Sequence, residues 1–348
     1  MDKKERKELL LQNLDEVVTE KEIDELLEQD EKPVAYIGYA PTGMMHIGHF
    51  TTVRKIADFI EAGFRFKFLI ADIHAELDIE KSPRELVDAR SEYYKKAIKG
   101  MLDSAGIDEE KVEFVKGSDY EHSPEYQKGY MQIMEETTVN RMQRAVNEVV
   151  RHEESMKCSG LLYSAMQIMD CASAGLDVDV AYGGRDQRRI YMLGREVLPK
   201  IGEDKPTCMF APLLSGLTGG KMSASDEKSK ISIHDSRESV GEKIDDAYCP
   251  RGEVEDNGVL EYTKYLIFPI LDARDENFVV ERPEKYGGDL EYTSYDELEE
   301  DFVAEELHPQ DLKNAVADYI FQAIEPIKER FEGEKELLQQ AYPEEYGS

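Results

Sequence analysis

Residues 34–71 constrain the fold more tightly than any other stretch. Val34-Ala35-Tyr36-Ile37-Gly38-Tyr39 is a short β-prone run, and Pro41-Thr42-Gly43 follows it as a turn. Phe50, Val53, Ile56, Ala57 and Ile60 then recur at helical spacing up to Gly63, and Phe66 to Ala71 is a second β-prone run. Strand, turn, helix and strand within about 40 residues make a βαβ unit, whose strands lie parallel and whose ligands bind beyond the carboxyl ends of the strands. The residues between Gly38 and His49 occupy that edge.

His46-Ile47-Gly48-His49 opens the helix, so two imidazoles one turn apart flank an amino terminus whose unpaired N–H groups attract phosphate. Gly48 lets a flat base lie against the backbone. Two ordinary surface histidines are the bland alternative, and the strand-turn-helix context argues against it. A second element, Lys221-Met222-Ser223-Ala224-Ser225, follows Gly219-Gly220 and offers one ammonium and two hydroxyls to a polyphosphate. By itself it reads as a solvated loop; paired with the histidine motif it reads as the other half of an ATP site. Tyr163, Gln167 and Asp170 sit at i, i+4 and i+7, which puts a phenol, an amide and a carboxylate on one helix face. From spacing alone a solvated polar face explains them equally well.

Elsewhere the chain alternates and is then interrupted. Thr19-x-x-Glu22 is a capping box ahead of Ile23, Leu26 and Leu27, and Ser82-Pro83 and Ser123-Pro124 mark two further helix starts. Val112 to Val115 reads as a strand, residues 120–165 as mainly helical, and Val178 to Tyr182 with Gly183-Gly184 as a strand and turn. From Ser236 the pattern is helical, with a box at Ser294-x-x-Glu297 and the apolar set Val316, Tyr319, Ile320, Ala323 and Ile324. These patterns predict an α/β chain: a Rossmann-type parallel-sheet nucleotide-binding domain over 1–230, with a helical insertion at 120–165 and a loop at 219–228. A mainly helical domain over 231–331 and a loosely held acidic extension over 332–348 complete the expectation.

At 348 residues and 41% hydrophobic the chain is globular, which excludes disorder as its main state. No stretch approaches the roughly 20 apolar residues of a membrane span, and the amino terminus lacks the apolar core of a signal peptide; a cytoplasmic protein without membrane partners is expected. Cys158, Cys171, Cys208 and Cys249 form no C-x-x-C pair, so they read as reduced thiols without a metal. The net charge of −32 spreads self-repulsion over the surface. Molar salt, where the Debye length falls to about 3 Å, relieves it, so a high-salt cytoplasm is expected.

The two phosphate motifs together resemble the HIGH and KMSKS signatures of class I aminoacyl-tRNA synthetases, which bind ATP on a Rossmann fold. Further motifs narrow the resemblance: Ala35-Tyr36-Ile37-Gly38, Asp72-Ile73-His74-Ala75, Tyr163-x-x-x-Gln167-x-x-Asp170 and Gly183-Gly184-Arg185-Asp186-Gln187. With Arg282-Pro283-Glu284-Lys285-Tyr286-Gly287-Gly288-Asp289 and His308-Pro309-x-Asp311-Leu312-Lys313-Asn314, they look like the archaeal and eukaryotic type of tyrosyl-tRNA synthetase, from about Glu20 to Phe331. The resemblance implies that L-tyrosine is activated with ATP and Mg²⁺ and then passed to tRNA(Tyr). It implies catalytic roles for His46, His49 and Lys221, and ATP contacts from Thr42, Gly48, Ser223 and Ser225. Tyrosine would be held by Tyr36, Leu69, His74, Tyr163, Gln167, Asp170 and Gln187, and tRNA by Arg188, Arg189 and Asp289. It further implies a homodimer formed through residues 120–160. One departure stands out: Ala224 occupies the KMSKS position that often carries a second lysine, so the charge there falls to Lys221. A tryptophanyl-tRNA synthetase, an H-x-G-H nucleotidyltransferase and a non-catalytic RNA-binding paralogue are the competing readings.

Overall fold

The computed structural model describes residues 1–78, 81–149, 156–220 and 227–347. Its amino-terminal helices α1 (Lys3–Leu11) and α2 (Glu20–Leu26) each start at a complete capping box, Asp2 with Glu5 and Thr19 with Glu22. Between them lies β1 (Glu16–Val18), a strand too short to carry an alternation in the sequence.

The expected βαβ unit follows as β2 (Val34–Tyr39), α3 (Ile47–Glu61) and β3 (Arg65–Ile70), with β2 and β3 parallel and Gly38 opposite Leu69. Next come α4 (Asp72–Leu77), α5 (Val87–Ser104) and β4 (Val112–Lys116). The interrupting helices are α6 (Pro124–Glu135), α7 (Val139–Val146) and α8 (Cys158–Met169); Ser123 caps α6 as expected. The alternation resumes with β5 (Val180–Gly184), α9 (Arg188–Val197) and β6 (Thr207–Ala211). Gly183 and Gly184 belong to β5 rather than to a turn, because Gly183 pairs with Phe210 and Gly184 with Ala211.

The strands order as β1-β6-β5-β2-β3-β4, parallel throughout except for the antiparallel β1/β6 edge. From β2 the chain winds outward through β3 to β4, and then returns to the other side of β2 with β5 and β6. The change of direction between β2 and β5 opens a crevice at their carboxyl ends, where open α/β sheets hold ligands.

The remainder comprises α10 (Arg237–Asp245), α11 (Gly258–Tyr262), α12 (Phe268–Arg274), the antiparallel hairpin β7 (Phe278–Val280) and β8 (Leu290–Tyr292), α13 (Tyr295–Val303) and α14 (Pro309–Glu329). The hairpin is an addition to the helical expectation, and its connection carries Arg282 to Asp289. Val316, Ile320 and Ile324 on α14 are fully buried. They join a core that continues through Phe50 and Phe68 on one side of the sheet. A second core, including Tyr36, Leu69, Tyr126, Ile168 and Tyr191, fills the other side.

Three local expectations need correction. Pro83, not Ser82, stands at the cap position, and a 3₁₀ turn over Arg84–Leu86 precedes α5. Ser82 is instead buried and donates to the carbonyl of Pro41. Glu297 reaches back to the Thr293 N–H rather than to Ser294, so the Ser294 box is only half formed. The largest correction is the tail. Far from loose, residues after Phe331 form α15 (Lys335–Ala341), packed against α5, and α16 (Pro343–Tyr346), packed against α15.

Apolar anchoring explains the tail, since Ala341 and Tyr342 are fully buried in spite of their acidic neighbours. The Tyr342 ring meets that of Tyr93 edge-on, takes Arg90 over its face, and its hydroxyl donates to the Gly43 carbonyl at 2.9 Å. Tyr342→Ala is therefore expected to destabilise the protein by about 3 kcal/mol, the cost of truncating a buried aromatic. Urea unfolding measures it, and an unchanged midpoint would mean that the tail contributes nothing to the fold.

Candidate active site

The turn after β2 is fixed from behind. The Gly43 carbonyl accepts from Tyr94 at 2.7 Å as well as from Tyr342, and Pro41 from Ser82 at 3.2 Å, while Thr42 remains half-exposed. Residues 231–233 run antiparallel to Met45–Ile47: Ile47 N–H donates to Ile231 and Ile233 N–H to Met45. These bonds set the amino terminus of α3.

There His46 is the cap residue. Its Nδ1 accepts from the Gly48 N–H at 3.2 Å, and Nδ1 of His49 accepts from the His46 N–H at 3.1 Å. His49 Nδ1 lies slightly farther, 3.3 Å, from the His46 carbonyl. Because both Nδ1 atoms accept, the ring protons sit on Nε2, leaving an N–H on each ring free for a ligand. Burial lowers His46 well below the usual imidazole value and His49 to about 4. The pair is thus a set of neutral donors at a helix amino terminus, suited to phosphate oxygens. Lys221, Ser223 and Ser225 lie outside the described residues.

A second constellation sits where α8 ends. Asp170, at the carboxyl cap of α8, is buried, and its Oδ1 accepts from both Tyr120 and Tyr126 at 2.7 Å. Gln167 donates to Gln187 at 2.8 Å, joining α8 to the turn after β5, and its own Oε1 has no partner. Tyr163 lays its ring edge-on to His74, centroids 4.7 Å apart. Tyr36 on β2 meets the Tyr191 hydroxyl at 3.1 Å, and Leu69 faces Gly38 so closely that a Cβ there would lie 3.3 Å from Leu69 Cδ2. Tyr36, Leu69, His74, Gln167 and Asp170 are all buried, with Tyr163 and Gln187 half-buried at the rim. The face that spacing alone left ambiguous is therefore turned inward.

Four side chains in this constellation escaped the sequence reading: Tyr120, Glu121, Tyr126 and Tyr191. Tyr191 lies one helical turn after Gln187, on α9, and Tyr126 on the first turn of α6; Tyr120 and Glu121 come from the segment between β4 and α6, which carries no periodicity to read.

The basic residues expected at tRNA are engaged with acids of this chain. Arg188 pairs with Glu16 at 2.7 Å and Arg189 with Glu148 at 2.9 Å. Asp289 is exposed in the β7–β8 connection, where its Oδ1 accepts from the Arg282 N–H at 2.8 Å.

A parallel sheet with a helix start suited to phosphate at its switch point and a polar pocket beside it is the architecture of nucleotide-activating α/β enzymes, and the comparisons agree. Residues 28–325 match the family described as tRNA synthetases class I (W and Y), to which the chain belongs. It is 57% identical over 348 residues, all of both chains, to the tyrosine–tRNA ligase of Haloarcula marismortui. With the tyrosine–tRNA ligase of Natronomonas pharaonis it shares 56% over 346 residues, 99% of this chain and 100% of the relative. The crystal structure of tyrosyl-tRNA synthetase complexed with L-tyrosine from Archaeoglobus fulgidus superposes with a TM-score of 0.88 at 45% identity, covering 94% of this chain and 99% of that one. Within the family, then, the chain falls among the tyrosine–tRNA ligases.

The geometry of the histidine pair has a spectroscopic consequence. His49 is expected to remain neutral, protonated on Nε2, as pH falls from 8 to 5. Imidazole ¹⁵N shifts report this directly, and a ring that charges near its ordinary value of about 6.5 would contradict the burial argument.

Proposed function

We propose that the reaction is divided between the two constellations, with ATP at the amino terminus of α3 and L-tyrosine in the pocket beneath α8. The observation that carries this reading is Asp170: a buried carboxylate at the foot of a helix, with Oδ1 engaged by two tyrosine hydroxyls and Oδ2, 3.7 Å from His74 Nε2, keeping a lone pair to accept a phenol. Tyr36 completes the hydrogen bonding of that phenol. Tyr163, Gln167 and Gln187 hold the α-ammonium group, for which the unpartnered Gln167 Oε1 is an acceptor. Leu69 and His74 wall the ring.

The tyrosine carboxylate then attacks the α-phosphate in line. A C–O–P bond forms, the bond to the bridging oxygen breaks, and pyrophosphate leaves. The nucleophile is already ionised, so the chain needs no strong base and acts through positioning and charge stabilisation. His46 and His49 donate from Nε2 to the phosphates; Lys221 with Ser223 and Ser225 takes the leaving pyrophosphate; Thr42 and Gly48 line the nucleotide. Neutral imidazoles and backbone N–H groups bind phosphate oxygens and not a hard cation, so Mg²⁺ enters as the counterion of ATP and not in a protein cage. In the second step a ribose hydroxyl of the terminal adenosine attacks the activated carbonyl, giving tyrosyl-tRNA and AMP.

For tRNA(Tyr) we assign Arg188 and Arg189 to the acceptor end and Asp289 to the anticodon, with 1–230 as the catalytic domain and 231–331 as the anticodon-binding domain. The ion pairs of both arginines must open for this, at little cost for partly exposed pairs. Two copies meet through residues 120–160, where Met131, Met134 and Val139 expose apolar surface. The acidic surface suits a high-salt cytoplasm, in which tRNA recognition leans on base edges, stacking and shape more than on phosphate contacts. No helix among the described residues is long and apolar enough to cross a membrane.

His49→Ala is expected to slow tyrosyl-adenylate formation by about 10²-fold or more, the scale for losing one donor to developing charge. The dissociation constant for tyrosine, measured by calorimetry, should stay within about twofold, since a donor to phosphate contributes only where ATP reacts. Equal losses in both would overturn the assignment.

A further inference from the structure

His74 holds each of its ring nitrogens against a different acid. Nδ1 lies 3.5 Å from Glu121 Oε1, and Nε2 lies 3.7 Å from Asp170 Oδ2. All three side chains are buried, and neither nitrogen of His74 nor either oxygen of Glu121 forms a hydrogen bond, so the contacts are ion-pair approaches. A neutral imidazole carries one N–H and would leave one carboxylate facing a lone pair, whereas a doubly protonated ring presents a donor to each. A metal ion would use one nitrogen and leave the other facing an acid, so the geometry fits a bridging imidazolium better than a metal centre.

The seat of Glu121 is built into the backbone. A Cβ on Gly117 would fall 2.3 Å from Glu121 Oε1 and 2.9 Å from Asp72 Oδ1, so any larger residue there would displace the Glu121 carboxylate from its seat. Asp72 is itself tied to the N–H groups of Ile73 and Ser118.

The charged and titratable groups about the ring come from every neighbouring element. From α4 itself there is Asp72, with Lys116 of β4 at 3.8 Å from it. The segment before α6 supplies Glu121, and the end of α8 supplies Asp170 with Tyr120 and Tyr126 upon it; the Tyr163 ring closes the remaining side. Burial works against a charge on His74, yet Glu121 and Asp170, with Asp72 behind them, outweigh it and raise the imidazole to about 9. Burial pushes Asp170 up to about 7; Glu121 adds to that push, while His74 and the two tyrosine hydroxyls resist it.

We propose that Glu121 is a positioning residue of the tyrosine pocket, acting through a charged His74 that bridges it to Asp170 and keeps Asp170 ionised to accept the substrate phenol. The inference rests on the assignment of Asp170 to the phenol made above. Its pH signature has a definite sign. Tyrosine binds best with Asp170 ionised, above about pH 7, and with His74 charged, below about pH 9. The Glu121 carboxylate raises both groups, so neutralising it moves both limbs of the profile to lower pH.

The test is KM for tyrosine in ATP–pyrophosphate exchange between pH 5.5 and 10, on the full chain. The wild type should show its lowest KM between about pH 7 and 9, and Glu121→Gln should shift both limbs down by about one unit. At pH 9 that shift raises KM for tyrosine about fivefold over the wild type, with KM for ATP unchanged within about twofold. Glu121→Asp, which keeps the charge, should restore the wild-type limbs. If Glu121→Gln does not fold, His74→Asn carries the test on the acid side: without the bridging cation Asp170 ionises only at higher pH, so the acid limb must move up, and an unmoved acid limb overturns the proposal. Unmoved limbs in Glu121→Gln, or a Glu121→Asp profile that follows it, overturn the role of Glu121 alone. A wild type without tyrosine-dependent exchange would overturn the tyrosine reading beneath it as well.

Discussion

Parallel pairing of β2 with both β3 and β5 is the constraint on which the rest of the molecule depends. It sends the carboxyl ends of three strands to one edge and makes the chain depart in opposite directions on either side of β2. Tyr36 comes from within β2, the phosphate turn and His46 from just beyond it, and Gln187 from the turn after β5. Both constellations are therefore consequences of one topological reversal. Shift the register of β2 by one residue and Tyr36 moves to the opposite face of the sheet, into the core of Phe50 and Phe68.

Burial does opposite things on the two sides of the cleft. At α3 it strips His46 and His49 of their protons and leaves neutral donors for a ligand that brings its own negative charge. Beneath α8 the same removal from water is overcome by carboxylates, and His74 stays charged. The difference lies in the neighbours: the histidines of α3 face one another, with ring centroids 4.1 Å apart and no acid among the groups that move them, whereas His74 lies between two acids. Three histidines of one site thus acquire distinct chemistry without any difference in residue type.

Much of this was legible in the sequence because it is local. Val34–Tyr39, the turn at Pro41 and the apolar set from Phe50 to Ile60 are read from period and turn residues, and the structure repeats them almost residue for residue. Tyr163, Gln167 and Asp170 were visible as a set because α8 places them on one face. Tyr120, Glu121 and Tyr126 were not, because what unites them is a shared contact with Asp170 and His74 across the pocket, which no spacing along the chain encodes. The packing of the tail is not legible for a related reason. Its composition is acidic, but the two residues that anchor it, Ala341 and Tyr342, act through packing on Tyr93 and Arg90 some 250 positions earlier. The β7–β8 hairpin has three-residue strands, too short for an alternation to register.

The net charge of −32 does not reach the two constellations of the cleft as bare charge: His46 and His49 are held neutral by burial, and the buried acids Glu121 and Asp170 face His74. At the centre of the proposed function, a buried carboxylate at Asp170 selects a phenol. Amino-acid-dependent ATP–pyrophosphate exchange in multimolar KCl, comparing tyrosine, phenylalanine and tryptophan, tests this most directly, because it isolates the activation step from tRNA. Exchange with tyrosine is expected, with a discrimination of about 10⁴–10⁵ against phenylalanine, the range for sites that bind a substrate hydroxyl, of which tyrosyl-tRNA synthetases are themselves the known example. Comparable exchange with phenylalanine, or exchange driven by tryptophan, would contradict it.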